Sequence, residues 1–106
     1  MLFRSGAGLP GIPVAIARPD CKVTLLDSNR KKTAFLQQAV IELGLGNATV
    51  CPERVDAWHP RQRFDVIVSR AFSDLAEFVA SSQHLLAEEG VFAAIDRKST
   101  RLNSSH

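Results

Sequence analysis

The chain has 106 residues, of which 45% are hydrophobic and 23% are charged, and its formal net charge is +2. This length and composition predict one domain at most. No apolar run approaches the roughly 20 residues of a membrane span, and residues 1–5 are not a signal peptide. Because Cys21 and Cys51 lack the spacing of metal ligands, we expect free thiols in a cytoplasmic protein.

The two ends of the chain differ in character from its middle. Residues 96–106 show no apolar periodicity and, like residues 2–5, resemble translated sequencing-library adapters. We therefore expect residues 1–5 and 96–106 to be non-native and residues 6–95 to be a partial domain. That middle part carries 9 basic and 10 acidic residues, a net charge of −1, so overall charge does not indicate nucleic-acid binding.

The first predicted elements are a glycine-rich turn at residues 6–11 and a short helix that ends near Arg18. A strand over 22–26 precedes a helix over 29–43, which Ser28 is predicted to cap. The apolar stripe of that helix consists of Phe35, Leu36, Ala39, Val40 and Leu43. Such a glycine turn normally follows a strand. Only residues 1–5 are available for one, so we expect it to be missing.

The second half continues the alternation of strands and helices. We predict a strand over 48–51, a polar loop over 55–63 and a strand over 64–69. A helix that Ser73 caps should place Leu75, Phe78, Val79 and Leu86 on one face. A turn at 88–90 then leads to a last strand over 91–95. The order predicts a partial Rossmann-like α/β fold, with a mostly parallel sheet and flanking helices.

The turn Gly6-Ala7-Gly8-Leu9-Pro10-Gly11 fits the pattern G-x-G-x-x-G, and Asp27 ends an apolar run about 20 residues later. Glycines let the backbone approach a ligand, and a carboxylate at a strand end can accept hydrogen bonds from two ribose hydroxyls. The pair indicates a cofactor that contains adenosine. The alternative for Asp27 is a favourable charge at the N-terminus of a helix.

Three further segments are candidates for ligand contacts. Arg54-Val55-Asp56 follows a predicted strand, where Asp56 can accept from the adenine amino group or be a solvated loop acid. Arg70 ends the strongest predicted strand, which indicates either a ligand or a structural ion pair. The cluster Arg30-Lys31-Lys32 either contacts RNA phosphates or faces solvent.

Other polar and aromatic residues give no sign of a catalytic centre. His59 and His84 have no partners at a spacing suited to a metal, so no metal site is predicted. The chain carries no Ser/His/Asp or Cys/His arrangement, so no catalytic residue is predicted. We expect Trp58 to cover the edge of the core.

These segments together resemble the glucose-inhibited division protein B family of bacterial 16S ribosomal RNA methyltransferases. The resemblance implies a class I methyltransferase fold that binds S-adenosyl-L-methionine. It also implies methyl transfer to N7 of a guanine in the 16S RNA of the small ribosomal subunit. The matching segments are residues 5–13, 25–28, 35–37, 54–55 and 64–72.

The resemblance also implies roles for individual residues. The cofactor would contact Gly6, Gly8 and Leu9 of the turn and Ser28, with Asp27 at the ribose, Val55 and Asp56 at the adenine, and Arg70 at the methionine. The family carries Asp-x-Gly just before the turn, where this chain has Leu2 and Arg4. The change removes an acidic partner for the methionine end and adds bulk beside the cofactor. We therefore expect this chain to be inactive or nearly so.

Two alternatives to a methyltransferase stay open from the residues alone. The glycine pattern with Asp27 also suits an oxidoreductase that uses NAD or a flavin. The basic cluster at residues 30–32 would suit a non-catalytic RNA-binding module. Guanine N7 has a lone pair and no proton to lose, so its methylation requires orientation rather than a general base. The lack of a predicted catalytic residue therefore does not argue against a methyltransferase.

Overall fold

The computed structural model describes residues 1–4, 8–70, 75–95 and 102–103. Its helices are α1 (Gly8–Ala17), α2 (Arg30–Leu43) and α3 (Leu75–Ser82), and a 3₁₀ turn at Gln83–Leu85 follows α3. Its strands are β1 (Leu2–Arg4), β2 (Val23–Leu26), β3 (Ala48–Cys51), β4 (Phe64–Arg70), β5 (Leu86–Ile95) and β6 (Leu102–Asn103).

The strands form one sheet in the order β3-β2-β1-β4-β5-β6, which confirms the predicted α/β class. The first five strands are parallel, and β6 pairs antiparallel with β5 at the edge of the sheet. The chain moves outward from β1 to β3 and then returns to the other side of β1 at β4. This reversal makes the carboxyl ends of β1 and β4 a switch point, which is where open α/β sheets bind ligands.

Different elements cover the two faces of the sheet. On one face, Ala15 of α1 and Leu36 of α2 pack against Phe3 of β1. On the other face, Phe78 of α3 packs against Leu2, the neighbour of Phe3. Trp58 joins this second cluster, with its ring centroid 5.8 Å from that of Phe64, so its predicted role at the core edge is confirmed. Because side chains alternate along a strand, β1 contributes to both clusters.

The expectation that the chain lacks a strand before the glycine turn is wrong. Leu2–Arg4 forms β1, which pairs with β2 on one side and β4 on the other. Phe3 lies opposite Leu25 and Val68 in these two ladders. A segment of three residues is too short to show a strand pattern, but hydrogen bonding on both sides satisfies its backbone groups.

The N-terminus of α2 differs by one residue from the prediction. Asn29 rather than Ser28 is the N-cap, and its side chain accepts hydrogen bonds from the backbone N–H groups of Lys31 and Lys32, at 3.0 and 3.1 Å. The helix ends where predicted, at Gly44, whose φ of 65° is the left-handed conformation that glycine adopts easily. The Asn29 side chain accepts from N–H groups that the first turn of the helix leaves unpaired, and the Gly44 backbone N–H donates to carbonyls of the last turn.

The predicted apolar stripe of α2 is only partly buried. Leu36 and Val40 are buried, but Phe35 is 72% exposed and Leu43 is 54% exposed. Thr33 is buried instead. The helical period predicts which residues of α2 share a face. It does not predict how much of that face is buried, because burial depends on the elements that pack against the helix. Leu36 is the residue of α2 that belongs to the described core cluster on this face of the sheet.

Two predictions for the second half are also corrected. Leu86 is not part of α3, because α3 ends at Ser82 and Leu86 begins β5. The turn predicted at 88–90 lies inside β5, where pairing shifts from Phe64↔Leu86 to Val66↔Val91. The three additional residues on β5 form an irregularity that retains strand pairing on both sides of it. Ser73, the predicted cap of α3, and residues 96–101 and 104–106 lie outside the described residues.

Candidate functional site

A cleft of about 290 Å³ opens at the carboxyl ends of β1, β2 and β3. Four of the predicted site residues line it together, namely Asp27, Ser28, Val55 and Asp56. The volume is just below the range of roughly 300–1,000 Å³ that is typical of small-molecule sites. The parallel sheet explains the grouping, because segments that follow neighbouring strands emerge at the same edge.

Asp27 is the buried carboxylate of this cleft, with 8% of its surface exposed. Its backbone N–H donates to the carbonyl of Cys51 at 3.1 Å, which fixes the end of β2 against β3. Its carboxylate Oδ1 accepts a hydrogen bond from the backbone N–H of Asn29 at 2.8 Å. A carboxylate offers about four acceptor positions, so this contact is compatible with further donors from a ligand.

The loop after β3 supplies the opposite wall of the cleft. Val55 packs against the core cluster around Leu2, which holds the loop on the sheet. The Arg54 guanidinium contacts the exposed carboxylate of Asp56 through two nitrogens, at 3.2 and 3.3 Å. These hydrogen bonds lower the pKa of Asp56 below its usual value. A ligand that uses the Asp56 carboxylate must therefore share it with Arg54.

Arg4 extends from the end of β1 to α3 and lines the cleft. The side chain is buried, and its guanidinium donates to Ser82 Oγ at 2.9 Å, to Ser81 Oγ at 3.2 Å and to the carbonyl of Phe78 at 3.4 Å. The guanidinium also lies 5.2 Å from the ring centroid of Phe78. Burial lowers the pKa of Arg4, and the nearby Glu77 carboxylate opposes this shift.

The remaining predicted residues are less completely described. Gly8 and Leu9 form the first turn of α1, whereas Gly6 lies outside the described residues. Arg70 ends β4 opposite Ile95, and its side chain is outside the described part of the structure. The cluster Arg30, Lys31 and Lys32 is exposed in the first turn of α2, next to the cleft residue Ser28.

Three polar residues of the cleft were missed from the sequence. Glu53 directly precedes the predicted segment Arg54-Val55-Asp56, while Glu77 and Ser81 belong to α3. The spacing of four residues places Glu77 and Ser81 on one face of a helix. Their contribution to the cleft depends on how α3 packs over the end of β1, which their spacing does not reveal.

The histidines and cysteines form no group suited to metal binding within the described ranges. No cluster of three His, Cys, Asp or Glu side chains occurs there. The rings of His59 and His84 lie 4.8 Å apart, and His84 Nε2 is 2.9 Å from the carbonyl oxygen of Trp58. Burial, assisted by Glu53, raises the pKa of the Cys51 thiol. Among the described helices, none has the length and apolar character needed to cross a membrane.

The sequence is similar to a family of ribosomal RNA methyltransferases. A family model described as rRNA small subunit methyltransferase G (GidB) matches residues 4–104. The ribosomal RNA small subunit methyltransferase G of Laribacter hongkongensis is 65% identical over 91 residues, which are 86% of this chain and 44% of that protein. The protein of the same name from Chromobacterium violaceum is 59% identical over the same shares of the two chains. The chain thus spans less than half the length of these curated relatives.

Solved structures of methyltransferases share the fold. Coclaurine N-methyltransferase bound to N-methylheliamine and SAH has a TM-score of 0.76 at 14% identity, over 88% of this chain and 29% of that chain. The O-methyltransferase from a trans-AT PKS multienzyme of Brevibacillus brevis, in complex with S-adenosyl-L-homocysteine, has a TM-score of 0.73 at 20% identity, over 90% and 34%. These similarities confirm the class I methyltransferase fold. Together with the family match across most of its length, they establish that this chain belongs to the rRNA small subunit methyltransferase G family.

Proposed function

We propose that this chain is part of a methyltransferase that transfers a methyl group from S-adenosyl-L-methionine to guanine N7 in 16S ribosomal RNA. The substrate would be the RNA or the small ribosomal subunit, in the bacterial cytoplasm. Family membership supports the reaction, and one structural observation carries its assignment to this cleft. That observation is the buried Asp27 carboxylate at the end of β2, in a cleft at the carboxyl ends of β1, β2 and β3, beside the switch point of the sheet.

The residues of the cleft fit the adenosine half of the cofactor. The Asp27 carboxylate suits two adjacent ribose hydroxyls, because it presents acceptors at a fixed strand end. The loop at Val55 and Asp56 lines the same cleft, where it would contact a base attached to that ribose. An adenosine-sized ligand also agrees with the cleft volume of about 290 Å³.

The residues of the cleft fit the methionine half of the cofactor less well than the adenosine half. The Arg4 guanidinium forms part of the cleft wall and is held by Ser81 and Ser82. A fixed cation does not complement the positively charged sulfur of S-adenosyl-L-methionine. For this reason we propose that the adenosine site is retained and that methyl transfer by this chain is absent or very weak.

The proposed reaction requires little acid–base chemistry from the protein. S-Adenosyl-L-methionine supplies the methyl group when it is bound. Guanine N7 is a neutral nucleophile with no proton to remove, so the protein has to orient the two partners and exclude water. Asp27 and the loop at Val55 would provide that orientation on the cofactor side.

The basic cluster on α2 is a candidate contact for the RNA backbone. Arg30, Lys31 and Lys32 occupy the first turn of α2, which contains no acidic residue. Cations there are unfavourable for the helix, because its N-terminus carries partial positive charge. They are three exposed positive charges close in sequence to the cleft residue Ser28, which would suit the approach of a substrate phosphate. Phosphate binding would offset the cost to the helix.

Calorimetric titration with S-adenosyl-L-homocysteine and with NAD tests the cofactor assignment. We expect S-adenosyl-L-homocysteine to bind at least tenfold more tightly than NAD. Preferential binding of NAD would contradict the proposal and favour an oxidoreductase. In a parallel assay, methyl incorporation into undermodified small-subunit RNA should stay at background. Incorporation above background would contradict the inactivity of this chain.

Charge reversal at Lys31 tests the RNA contact. The variant K31E should weaken binding to a 16S RNA fragment and lower the slope of log affinity against log salt by about one. Lys22 is a matched control, because it is also exposed but precedes β2 at the opposite edge of the sheet. The variant K22E should change RNA binding little. Equal losses from K31E and K22E would contradict a localised RNA contact at α2.

A further inference from the structure

Arg4 and Asp27 place opposite charges next to each other at one end of the cleft. Arg4 lies opposite Leu26 in the ladder between β1 and β2, and Asp27 is the next residue after Leu26. Neighbouring strands are about 4.8 Å apart, so the two residues leave the sheet side by side. Only 7% of Arg4 and 8% of Asp27 is exposed. Both charges are therefore largely removed from water.

The contacts of Arg4 with α3 fix its guanidinium in this position. Three of its acceptors, Phe78 O, Ser81 Oγ and Ser82 Oγ, belong to the last five residues of the helix. A helix C-terminus carries partial negative charge, which further favours a cation there. Moving the side chain away from an incoming ligand would break these contacts. The positive charge should therefore remain in place when the cleft is occupied.

The other charged groups that line the cleft are exposed to solvent. Arg54 and Asp56 form an ion pair with each other at 3.2 Å, so their charges largely offset. Glu53 and Glu77 are exposed, and water and salt screen charges in such positions. Among the described residues that line the cleft, Arg4 and Asp27 are therefore the buried charges.

We infer that Arg4 is a specificity-determining residue, which makes the cleft favour adenosine ligands with a neutral 5′ substituent over those with a 5′ sulfonium. The inference rests on the proposed adenosine site. A ribose held by Asp27 places its 5′ substituent in the same small cleft as the Arg4 guanidinium. A thioether has no charge to oppose the guanidinium, whereas a sulfonium does. The site thus discriminates between two ligands that differ by one methyl group and one positive charge.

Calorimetry with two small ligands tests this on the unaltered chain. The ligands are 5′-methylthioadenosine and the sulfonium obtained by methylating its sulfur, and neither carries an amino acid. We expect the neutral ligand to bind at least tenfold more tightly than the sulfonium. Equal binding, or tighter binding of the sulfonium, would overturn the inference without the need for any variant.

Two variants separate the charge of Arg4 from its size. The variant R4Q removes the charge and retains a hydrogen-bond donor, so the preference for the neutral ligand should fall below threefold. The variant R4K retains the charge, so the preference should persist. If R4Q and R4K both bind the two ligands more tightly than the unaltered chain, and by the same factor, the size of Arg4 rather than its charge limits binding. That result would overturn the inference.

The outcome also distinguishes this inference from the proposed function. Binding of S-adenosyl-L-homocysteine together with a preference that R4Q leaves unchanged would overturn the role of Arg4 alone. Failure of S-adenosyl-L-homocysteine and 5′-methylthioadenosine to bind any folded form would overturn the adenosine site and, with it, the role of Arg4. Thermal unfolding monitored by circular dichroism establishes that each variant is folded before its affinities are compared.

Discussion

Polar side chains have different roles at the two ends of the parallel strands, which form two opposite edges of the sheet. At the edge where the strands begin, Asn47 Nδ2 donates to the carbonyls of Ala15, Arg18 and Cys21, at 3.0, 3.1 and 2.8 Å. These bonds join the end of α1 to the chain segments that enter β2 and β3. At the edge where the strands end, the buried side chains of Arg4 and Asp27 line a cleft.

This contrast indicates which polar residues maintain the fold and which are available to a ligand. The Asn47 side chain connects parts of the chain that are distant in sequence, so its loss should reduce stability without a direct effect on ligand affinity. A change at Asp27 that keeps the hydrogen bond from the Asn29 N–H should show the reverse, with a small effect on stability and a large effect on affinity. Variants at each edge test the two halves of this comparison.

The largest loss of stability is expected from N47A. Each hydrogen bond of Asn47 contributes about 1 kcal/mol, so removing its side chain should lower the free energy of unfolding by about 2–4 kcal/mol. Urea unfolding measures this loss. Q37A is the control at an exposed position on α2 and should change stability by less than about 0.5 kcal/mol. A loss below about 1 kcal/mol for N47A would show that this edge does not depend on Asn47.

A smaller loss is expected where α1 packs closely on the sheet. A Cβ atom at Gly11 would overlap the side chain of Leu25 and lie 3.3 Å from Phe3 Cγ, in a buried cluster. The packing penalty of about 1–3 kcal/mol for G11A should exceed the gain of about 1 kcal/mol in helix propensity. Urea unfolding should show a net loss, whereas G46A should be close to neutral because Gly46 has no atom within 4 Å of the added Cβ. Equal stabilities of G11A and G46A would contradict the close approach of α1.

The smallest effect concerns the thiol of Cys51. Burial favours the neutral thiol and raises its pKa, and the thiolate is the reactive form. In a C21S background, iodoacetamide at pH 8 should therefore modify Cys51 of the folded chain at least about three times more slowly than Cys51 of the same chain unfolded in urea. The raised pKa adds stability that is fully present below the unfolded value of about 8.5 and is lost as pH rises from that value through the higher pKa of the folded state. Equal alkylation rates would contradict the burial of this thiol.

The strands of this fold were predictable where they form short, mostly apolar runs. The segments that became β2, β3 and β4 are such runs, and β2 and β4 lie inside the sheet with residues buried on both of its faces. In contrast, β1 has three residues including Arg4, and it is a strand because it pairs with β2 and β4 on its two sides. The residues at 88–90 resemble a turn but continue β5, since pairing with β4 resumes at Val91. Pairing partners are a tertiary property that local composition does not contain.

The sequence likewise predicts one part of the candidate site and not another. Asp27, Val55 and Asp56 follow apolar runs in the sequence, and the parallel order of the strands brings them into one cleft. The burial of the Arg4 guanidinium was not predictable, because it depends on the position of Ser81 and Ser82 at the end of α3. The sequence identifies residues at strand ends, whereas the packing of α3 decides which charges face a ligand.

The affinity of D27N for S-adenosyl-L-homocysteine tests the account most directly. Asparagine can still accept the hydrogen bond from the Asn29 N–H, so the fold should be retained while the charged acceptor for the ribose is lost. Calorimetry should show binding at least tenfold weaker than that of the unaltered chain. E53Q, which neutralises an exposed carboxylate of the same cleft, should change affinity less than threefold. Equal affinities of D27N and the unaltered chain would contradict the assignment of Asp27 as the ribose ligand.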